Sequence, residues 1–210
     1  MSGHAAFSIE SIQPGTHVCY LYDSRDQRMD AIGRIMAGVL ANGGSTDYFA
    51  CETELDLIHD HLVQRGIPRD LLAEPHFHFR DARSTYAPGG RFDPAAMLST
   101  LRHGYAEMRG RVTGTVFFTG EMDWSLDPAL PGVDKLVAYE RQVNAVVADS
   151  PFSAICQYDA RLFDGELLFQ ILKAHPLMLV RNQIVPNPYY DPPTGSDALA
   201  CCDGHAHGHA

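Results

Sequence analysis

The sequence predicts an α/β fold with a mostly parallel sheet that is covered by helices on both faces. Short, almost continuously apolar segments alternate with longer segments whose apolar residues recur at helical spacing, from about residue 16 to residue 185. Strands of a parallel sheet are buried on both faces, so they read as continuous apolar runs. This alternation is typical of a three-layer α-β-α domain.

The first strand and helix show the pattern most clearly. Residues 17–22 (HVCYLY) predict a strand. Ser24 and Gln27 follow with the spacing of a capping box, in which each side chain satisfies a free backbone amide at the helix start. Apolar residues then recur at helical spacing as far as Leu40. An Asn-Gly-Gly sequence predicts the helix end, because these residues accept a left-handed backbone.

The same alternation continues along the chain. Further strands are predicted at residues 46–51, 76–80, 114–120, 152–158 and 177–180. Further helices are predicted at residues 54–64, from Asp93 onward, at 133–148 and at 164–174. The helix after Asp93 is indicated by an aspartate N-cap that is followed by proline, which is favoured at the first helical position.

Composition and charge indicate one globular domain with an acidic surface. The chain has 210 residues, of which 45% are hydrophobic and 20% charged, and its net charge is −10. An acidic chain is not expected to bind nucleic acid directly, because phosphate neutralisation needs a basic face. The apolar runs fall far short of the roughly 20 residues that cross a bilayer, and the chain start has no secretory signal. We therefore expect a cytoplasmic protein without a membrane partner.

Acidic residues follow five of the predicted strands within about two positions. They are Asp23, Glu52, Asp81, Glu121 and Asp159. Ligands of open α/β sheets bind beyond the carboxyl ends of the strands, so these residues predict an acidic rim at the binding edge. For any single one of them, the simpler explanation is that it caps the helix that follows.

The position of a phosphate-binding loop holds a sequence that cannot cradle phosphate. A P-loop has the pattern G-x-x-x-x-G-K-[ST] after the first strand. Here that position reads YDSRDQR, and Lys135 and Lys173, the two lysines of the chain, both fall in predicted helices. The segment GTVFFTGEMD resembles the acidic strand of such sites. Without the lysine, however, we expect no nucleotide cofactor and no catalysis.

Several motifs resemble the MEDS domain, the methanogen/methylotroph DcmR sensory domain. They are GTHVCYLYDS, YAPGGRFDPAAML, TGEMDW, LVAYE, ICQYDARLFD, HPLMLV and NPYY, and they span about residues 14–190. That family is related to RecA and KaiC but lacks their ATP-binding loop. The resemblance therefore implies a RecA/KaiC-like fold and a non-catalytic, ligand-binding role in signalling and transcription control. The chain shows no output module, so we expect a separate partner of the kinase, anti-sigma or transcription-factor type, or a homodimer.

The resemblance, combined with the topology, selects a set of candidate ligand-binding residues. They are His17, Cys19, Tyr22, Asp23, Tyr86, Glu121, Trp124, Tyr158 and Asp159. Tyr22, Glu121, Trp124 and Tyr158 fall at strand ends, where aromatic walls and a few polar groups could line a small-molecule pocket or simply close the core. His17 and Cys19 share one side of the first strand, since side chains alternate, and a buried structural pair explains them more simply.

The chain is expected to divide into an N-terminal extension (1–13), the sensory domain (14–185) and a flexible tail (186–210). The tail ends in CCDGHAHGHA, which has no apolar face to bury. Thiolates and imidazoles suit zinc, copper or nickel. The candidate metal ligands are Cys201, Cys202, His205, His207 and His209. Adventitious binding by a disordered tail would account for the same sequence.

Three functions remain open at this point. The first is a sensory domain that binds a small molecule or a metal and signals through a partner. The second is a divalent-cation-dependent enzyme that uses the acidic rim on a degenerate NTPase scaffold. The third is a metal-handling protein in which the Cys/His tail is the functional part.

Overall fold

A computed structural model describes residues 7–192 of the chain. The strands are β1 Phe7–Ser8, β2 His17–Tyr22, β3 Ser45–Ala50, β4 Phe77–Asp81, β5 Val116–Glu121, β6 Ser153–Asp159, β7 Leu177–Val180 and β8 Gln183–Pro186. They form one sheet in the order β1-β8-β7-β2-β6-β5-β3-β4. The strands from β7 to β4 in this order run parallel, and β8 is antiparallel to both β1 and β7. The predicted α/β class and mostly parallel sheet are confirmed.

The helices lie between the strands, as the alternation predicted. They are α1 Arg25–Ala41, α2 Leu55–Gln64, α3 Ala82–Tyr86, α4 Pro94–Arg109, α5 Leu136–Asp149 and α6 Gly165–Ala174. The predicted caps are present: Ser24 Oγ accepts a hydrogen bond from the Gln27 amide, and the Asp93 side chain accepts one from the Ala95 amide. No helix in this part of the chain combines the length and apolar content needed to cross a membrane.

The sheet separates two apolar cores. One core contains the buried faces of α1 and α2, and the other contains those of α3, α4, α5 and α6. Neighbouring residues of one strand contribute to opposite cores, because strand side chains alternate between faces. Val18 thus packs with α1, whereas Cys19 belongs to the core beneath α5. The same alternation decides on which face each polar side chain of the candidate site is buried.

Two strands at one edge of the sheet were not predicted. β8 returns antiparallel to β7 through a tight turn at Arg181 and Asn182, whose φ angles are 48° and 62°. Turns of this handedness match the twist of a hairpin. β1 pairs with β8, and Ile9 and Ile184 are buried. The boundary expected at 185/186 therefore falls within β8, and the one expected at 13/14 separates β1 from the sheet to which it belongs. Such short strands leave almost no pattern in the sequence.

The packing of the first described residues gives a stability prediction. Ile9 is only 1% exposed in the core beneath α1. Ile9→Ala is expected to lower the free energy of unfolding by about 2–4 kcal/mol, because it leaves a cavity in that core. Leu57→Ala is the control: Leu57 is 53% exposed, so its loss should change stability by less than about 0.5 kcal/mol. Urea denaturation measures both, and equal effects would show that residues 7–12 are dispensable for folding.

Candidate functional site

The carboxyl ends of β2 to β6 lie on one edge of the sheet, so the five predicted acids share that edge. Several of them are already engaged by neighbouring groups. Glu52 pairs with Arg25, and Asp159 accepts hydrogen bonds from Arg161 at 2.5 and 2.8 Å. Asp81 accepts a hydrogen bond from a backbone amide of α3 and caps that helix. The rim is therefore acidic in composition but largely neutralised by arginines and helix caps.

Arg28 organises the centre of this edge, and the sequence analysis did not single it out. It is 5% exposed, and its Nη1 donates to Glu121 Oε1 at 2.6 Å and to Tyr48 Oη at 2.8 Å. Its Nη2 donates to Thr53 Oγ1 at 2.7 Å. Two backbone amides just after β3 each donate to Glu121 Oε2 at 2.8 Å. Glu121 is thus fully engaged by an arginine, two hydroxyls and two amides.

The charge state of this edge follows from that network. Burial alone would raise the pKa of Glu121, but Arg28 and the hydrogen bonds outweigh burial and lower the pKa to about 2. Asp123 differs: burial, together with Glu121 and Asp159, raises its pKa to about 6. Its Oδ1 is buried and has no hydrogen-bond partner among residues 7–192. At neutral pH, Glu121 is therefore ionised, whereas Asp123 titrates near neutrality.

A second polar group is buried beneath the opposite face of the sheet, where β2 and β6 meet α5 and the end of α6. His17, Glu140, Cys156 and His175 each place one potential ligand atom there, and the four atoms lie within 4.8 Å of one another. His17 Nε2, His175 Nε2 and Cys156 Sγ lie 3.2, 3.4 and 3.4 Å from Glu140 Oε2. These four residues are called the buried cluster below.

The buried cluster includes one predicted ligand residue and leaves out its expected companion. His17 and Cys19 do share a face of β2, as predicted, but Cys19 is not one of the four residues. Cys156 takes its place from the next strand, because Cys19 and Cys156 stand side by side in the parallel register of β2 and β6. Cys156, Glu140 and His175 belong to the motifs that resemble MEDS. No spacing in the sequence shows that they meet.

The two imidazole rings are held with their Nε2 atoms toward Glu140. His17 Nδ1 lies 2.8 Å from Asn144 Oδ1, and the Asn144 amide nitrogen donates to a backbone carbonyl of α6. His175 Nδ1 lies 2.8 Å from another α6 carbonyl. These acceptors assign a proton of each ring to Nδ1, so both Nε2 atoms face the carboxylate. His175 Nε2 has no partner of hydrogen-bond geometry among the described residues.

Burial sets the protonation of the buried cluster. Burial and the neighbouring His175 lower the pKa of His17, so its ring is neutral. Burial alone would raise the pKa of Glu140, but His175 and His17 outweigh it and hold the carboxyl ionised. Burial and the charge of Glu140 raise the pKa of the Cys156 thiol well above its ordinary value. The Tyr158 hydroxyl donates to the free oxygen of Glu140.

The structure does not bring the predicted pocket residues together. Tyr22 and Glu121 lie on the α1 side of the sheet, whereas Tyr158 and Trp124 are buried on the other side. Trp124 stacks on Tyr86 with ring centroids 4.7 Å apart. A cleft of 670 Å³ between α1 and the β7–β8 hairpin is lined by Tyr22 and Asp23, but by no other residue of the predicted set.

The predicted tail ligands fall outside the described residues. They are Cys201, Cys202, His205, His207 and His209. Within residues 7–192, the group with metal-ligand geometry is the buried cluster in the folded domain. No local motif marks the buried cluster as a metal site, because its four members are spread from position 17 to position 175.

A comparison with protein families gives the relationship of the chain. Residues 16–176 match the family model described as MEDS, the MEthanogen/methylotroph, DcmR Sensory domain. The chain belongs to the MEDS family. The resemblance seen in the motifs is thereby confirmed, and this MEDS domain is a sensory domain of a signalling system. No curated protein sequence matches the chain.

Solved structures place this MEDS domain among RecA/KaiC-like folds. The flagellar accessory protein FlaH of Methanocaldococcus jannaschii is 14% identical with a TM-score of 0.56, over 80% of this chain and 71% of that one. An uncharacterized Pyrococcus horikoshii protein, solved with an unknown peptide, is 13% identical with a TM-score of 0.58, over 83% and 82%. A KaiC-like protein of Pyrococcus horikoshii is 10% identical with a TM-score of 0.54, over 79% and 71%. At such identities the likeness shows the fold alone.

The buried Arg28–Glu121 pair gives a pH-dependent prediction. Glu121→Gln is expected to lower the free energy of unfolding at pH 7 by about 3–5 kcal/mol, because Arg28 stays buried without its counter-charge. The folded pKa of Glu121, about 2, lies below the ordinary 4.5. Its stabilisation is therefore complete above pH 4.5 and disappears as the pH falls toward 2. Urea unfolding should show the same difference from wild type at pH 7 and pH 5, and a smaller one at pH 3.

The control for this prediction is Glu52→Gln. Glu52 pairs with Arg25 on the surface, where both side chains are more than half exposed. Its replacement should have little effect at any pH, because exposed ion pairs contribute little. A wild-type to Glu121→Gln difference that stayed constant from pH 7 to pH 3 would contradict the role given to the ionised carboxylate.

Proposed function

We propose that this MEDS domain senses its signal at the buried cluster, and that the cluster binds a divalent transition metal, zinc in the first instance. The observation that carries the proposal is the convergence of two imidazoles, a thiol and a carboxylate within 4.8 Å. Such a set of nitrogen, sulfur and oxygen donors is typical of zinc sites.

The spacing of the ligand atoms fits an ion with little movement. Zinc bonds of about 2.0–2.3 Å in tetrahedral geometry place ligand atoms roughly 3.3–3.8 Å apart. In the buried cluster, His17, His175 and Cys156 lie 3.2–3.4 Å from Glu140 Oε2, and Cys156 Sγ lies 3.6 Å from His17 Nε2. These four separations match edges of a coordination tetrahedron, and the other two pairs of ligand atoms lie within 4.8 Å of each other.

The proton positions favour a cation as well. Metal-binding histidines ordinarily donate their other ring N–H to a carbonyl or carboxylate group, and both rings here are held in that way. With Nδ1 committed to these acceptors, Nε2 of each ring is the atom that can coordinate a cation beside the ionised Glu140 carboxylate. Loss of the Cys156 proton on binding would give a site with two negative charges, which a divalent ion balances.

A metal ion bound at the buried cluster would contact several secondary-structure elements at once. Its ligands come from β2, β6, α5 and the junction between α6 and β7. A bound ion would tie these four segments together, so binding or release changes how tightly α5 and α6 hold the sheet. A separate kinase, anti-sigma or transcription-factor partner that contacts this helical face could detect the change. The net charge of −10 supports a protein partner rather than direct DNA contact.

Zinc titration of a shortened chain and its variants tests the metal proposal. A chain ending at Leu199 is expected to bind one ion tightly, because the buried cluster does not need the tail. In that same truncated chain, His175→Gln should lose the ion, whereas His103→Gln, which changes an exposed histidine of α4, should keep it. Metal content after dialysis gives the stoichiometry, and cobalt substitution should show a sulfur-to-metal band that Cys156→Ser removes.

The pH dependence provides a second check on the same chains. Protons compete with the metal for Cys156, so affinity should fall steadily between pH 8 and pH 6. Metal bound only by the full chain, and none by the chain ending at Leu199, would show that the tail is the site. Equal binding by His175→Gln and wild type would also overturn the proposal.

We further propose that this domain neither binds nor hydrolyses ATP. Arg28 donates to the buried carboxylate of Glu121 at the end of β5, so that carboxylate is not free to hold a nucleotide-bound cation. Calorimetry with Mg-ATP should show no binding in the low micromolar range, about −8 kcal/mol, or tighter. Tight binding, or release of phosphate above the level seen with a heat-unfolded sample, would contradict this expectation.

A further inference from the structure

We propose that small uncharged molecules reach the buried cluster from one direction, through a cleft beside α4 that is closed by a gate of Phe49, Leu101 and Phe118. The proposal rests on the proposed function, since it concerns access to the same cluster. It is carried by two cavities that share these three side chains, one open to solvent and one in contact with Cys156.

The outer cavity is a cleft of 440 Å³ between α4 and the β3–β5 part of the sheet. Its mouth is polar, with His103 and Glu107 on α4 and the ion pair of Asp47 with Arg80 on β3 and β4. Its floor is formed by the gate residues, each only 2–3% exposed. The cleft thus passes from a polar mouth to an apolar floor.

The inner cavity lies on the other side of the gate. It has a volume of 10 Å³ and is lined by the gate residues, by Gly120 and Tyr139, and by Cys156 of the buried cluster. A space of about this size holds one water-sized group, so passage of anything larger requires the gate side chains to move. The inner cavity joins the floor of the cleft to the cluster thiol.

Gly120 explains why the inner cavity lies beside Cys156. Gly120 and Cys156 are direct neighbours in the register of β5 and β6. A glycine within a strand leaves room for the close approach of another group. Here a Cβ atom would stand 2.8 Å from Tyr86 Oη. The missing side chain therefore makes room for the Tyr86 hydroxyl, which lines the inner cavity together with Gly120 and Cys156.

Cys156 is also the most accessible member of the buried cluster. It is 6% exposed, whereas the two histidines and Glu140 are 0–1% exposed. The inner cavity accordingly meets the cluster at its sulfur ligand. The walls of the gate are aromatic and aliphatic, and they offer nothing to replace the hydration of an ion. The route therefore suits small uncharged molecules, and a charged reagent should be excluded from it.

The rate at which a small thiol reagent modifies Cys156 in the full, metal-free chain tests the route. The Cys156 thiolate displaces methanesulfinate from uncharged methyl methanethiosulfonate and gains an S-methyl disulfide, which peptide mass mapping assigns. Leu101→Ala should raise the rate by about tenfold or more, because it removes one side of a gate that otherwise opens only transiently. Leu98→Ala is the matched control, since it shortens a buried leucine of the same helix that lines neither cavity.

Gly104→Ala provides a variant that does not depend on weakening the core. A Cβ at position 104 would stand 3.4 Å from Phe118 Cζ, an ordinary contact that restrains this gate ring. It should slow the modification of Cys156. A sulfonate-bearing methanethiosulfonate should react slowly in every variant. Equal rates for Leu101→Ala and Leu98→Ala, no slowing by Gly104→Ala, or equal acceleration of the charged reagent would overturn the gate.

The labelling experiment needs no metal, so the two proposals can fail separately. If Cys156 modification depends on the gate residues but the His175→Gln variant binds zinc normally, the route is supported and the metal site is contradicted. If zinc binding requires His175 but the gate variants do not change the rate of Cys156 modification, the metal site is supported and the route is contradicted.

Discussion

Glu121 and Glu140 are carboxylates buried on opposite faces of one sheet, and an uncompensated buried charge costs several kcal/mol. The two faces meet this constraint differently. Glu121 receives the guanidinium of Arg28, two hydroxyls and two amides, so its site is complete. Glu140 receives a phenol and a thiol, and the Nε2 atoms of two imidazoles lie 3.2 and 3.4 Å from its Oε2. One carboxylate is thus compensated by an arginine, and the other stands in a group of four side chains that could hold a metal ion.

This difference separates the domain from the function that its fold would suggest. In open α/β sheets the ligand edge lies beyond the carboxyl ends of the strands. Here Arg28 fills the middle of that edge, and Glu52, Asp159 and Asp81 are held by Arg25, Arg161 and a helix cap respectively. The buried cluster, which we propose as the sensing site, lies instead beneath the face that α5 and α6 cover. On that proposal, a RecA/KaiC-like scaffold is retained while its functional centre lies within the body of the domain.

The buried cluster is also placed where its state affects packing. His175 follows α6 directly, Asn144 joins His17 to an α6 carbonyl, and Glu140 belongs to α5. A proton or metal ion at Glu140 therefore acts on the contacts that hold two helices to the sheet. Surface charge pairs are screened and have small effects, whereas a buried charge must be compensated locally. This position suits a sensory domain, whose output depends on a change of structure.

The sequence by itself determined the alternation of the six central strands with the five long helices, the parallel sheet, the caps at Ser24 and Asp93, and the family. Those features depend on local spacing, such as continuous apolar runs and capping residues. Only the tertiary structure decided that Arg28 pairs with Glu121, that Cys156 rather than Cys19 completes the buried cluster, and that the predicted pocket residues lie on opposite faces. The reason is that strand register and the order of strands in the sheet bring together residues far apart in the chain, and no local pattern encodes that pairing.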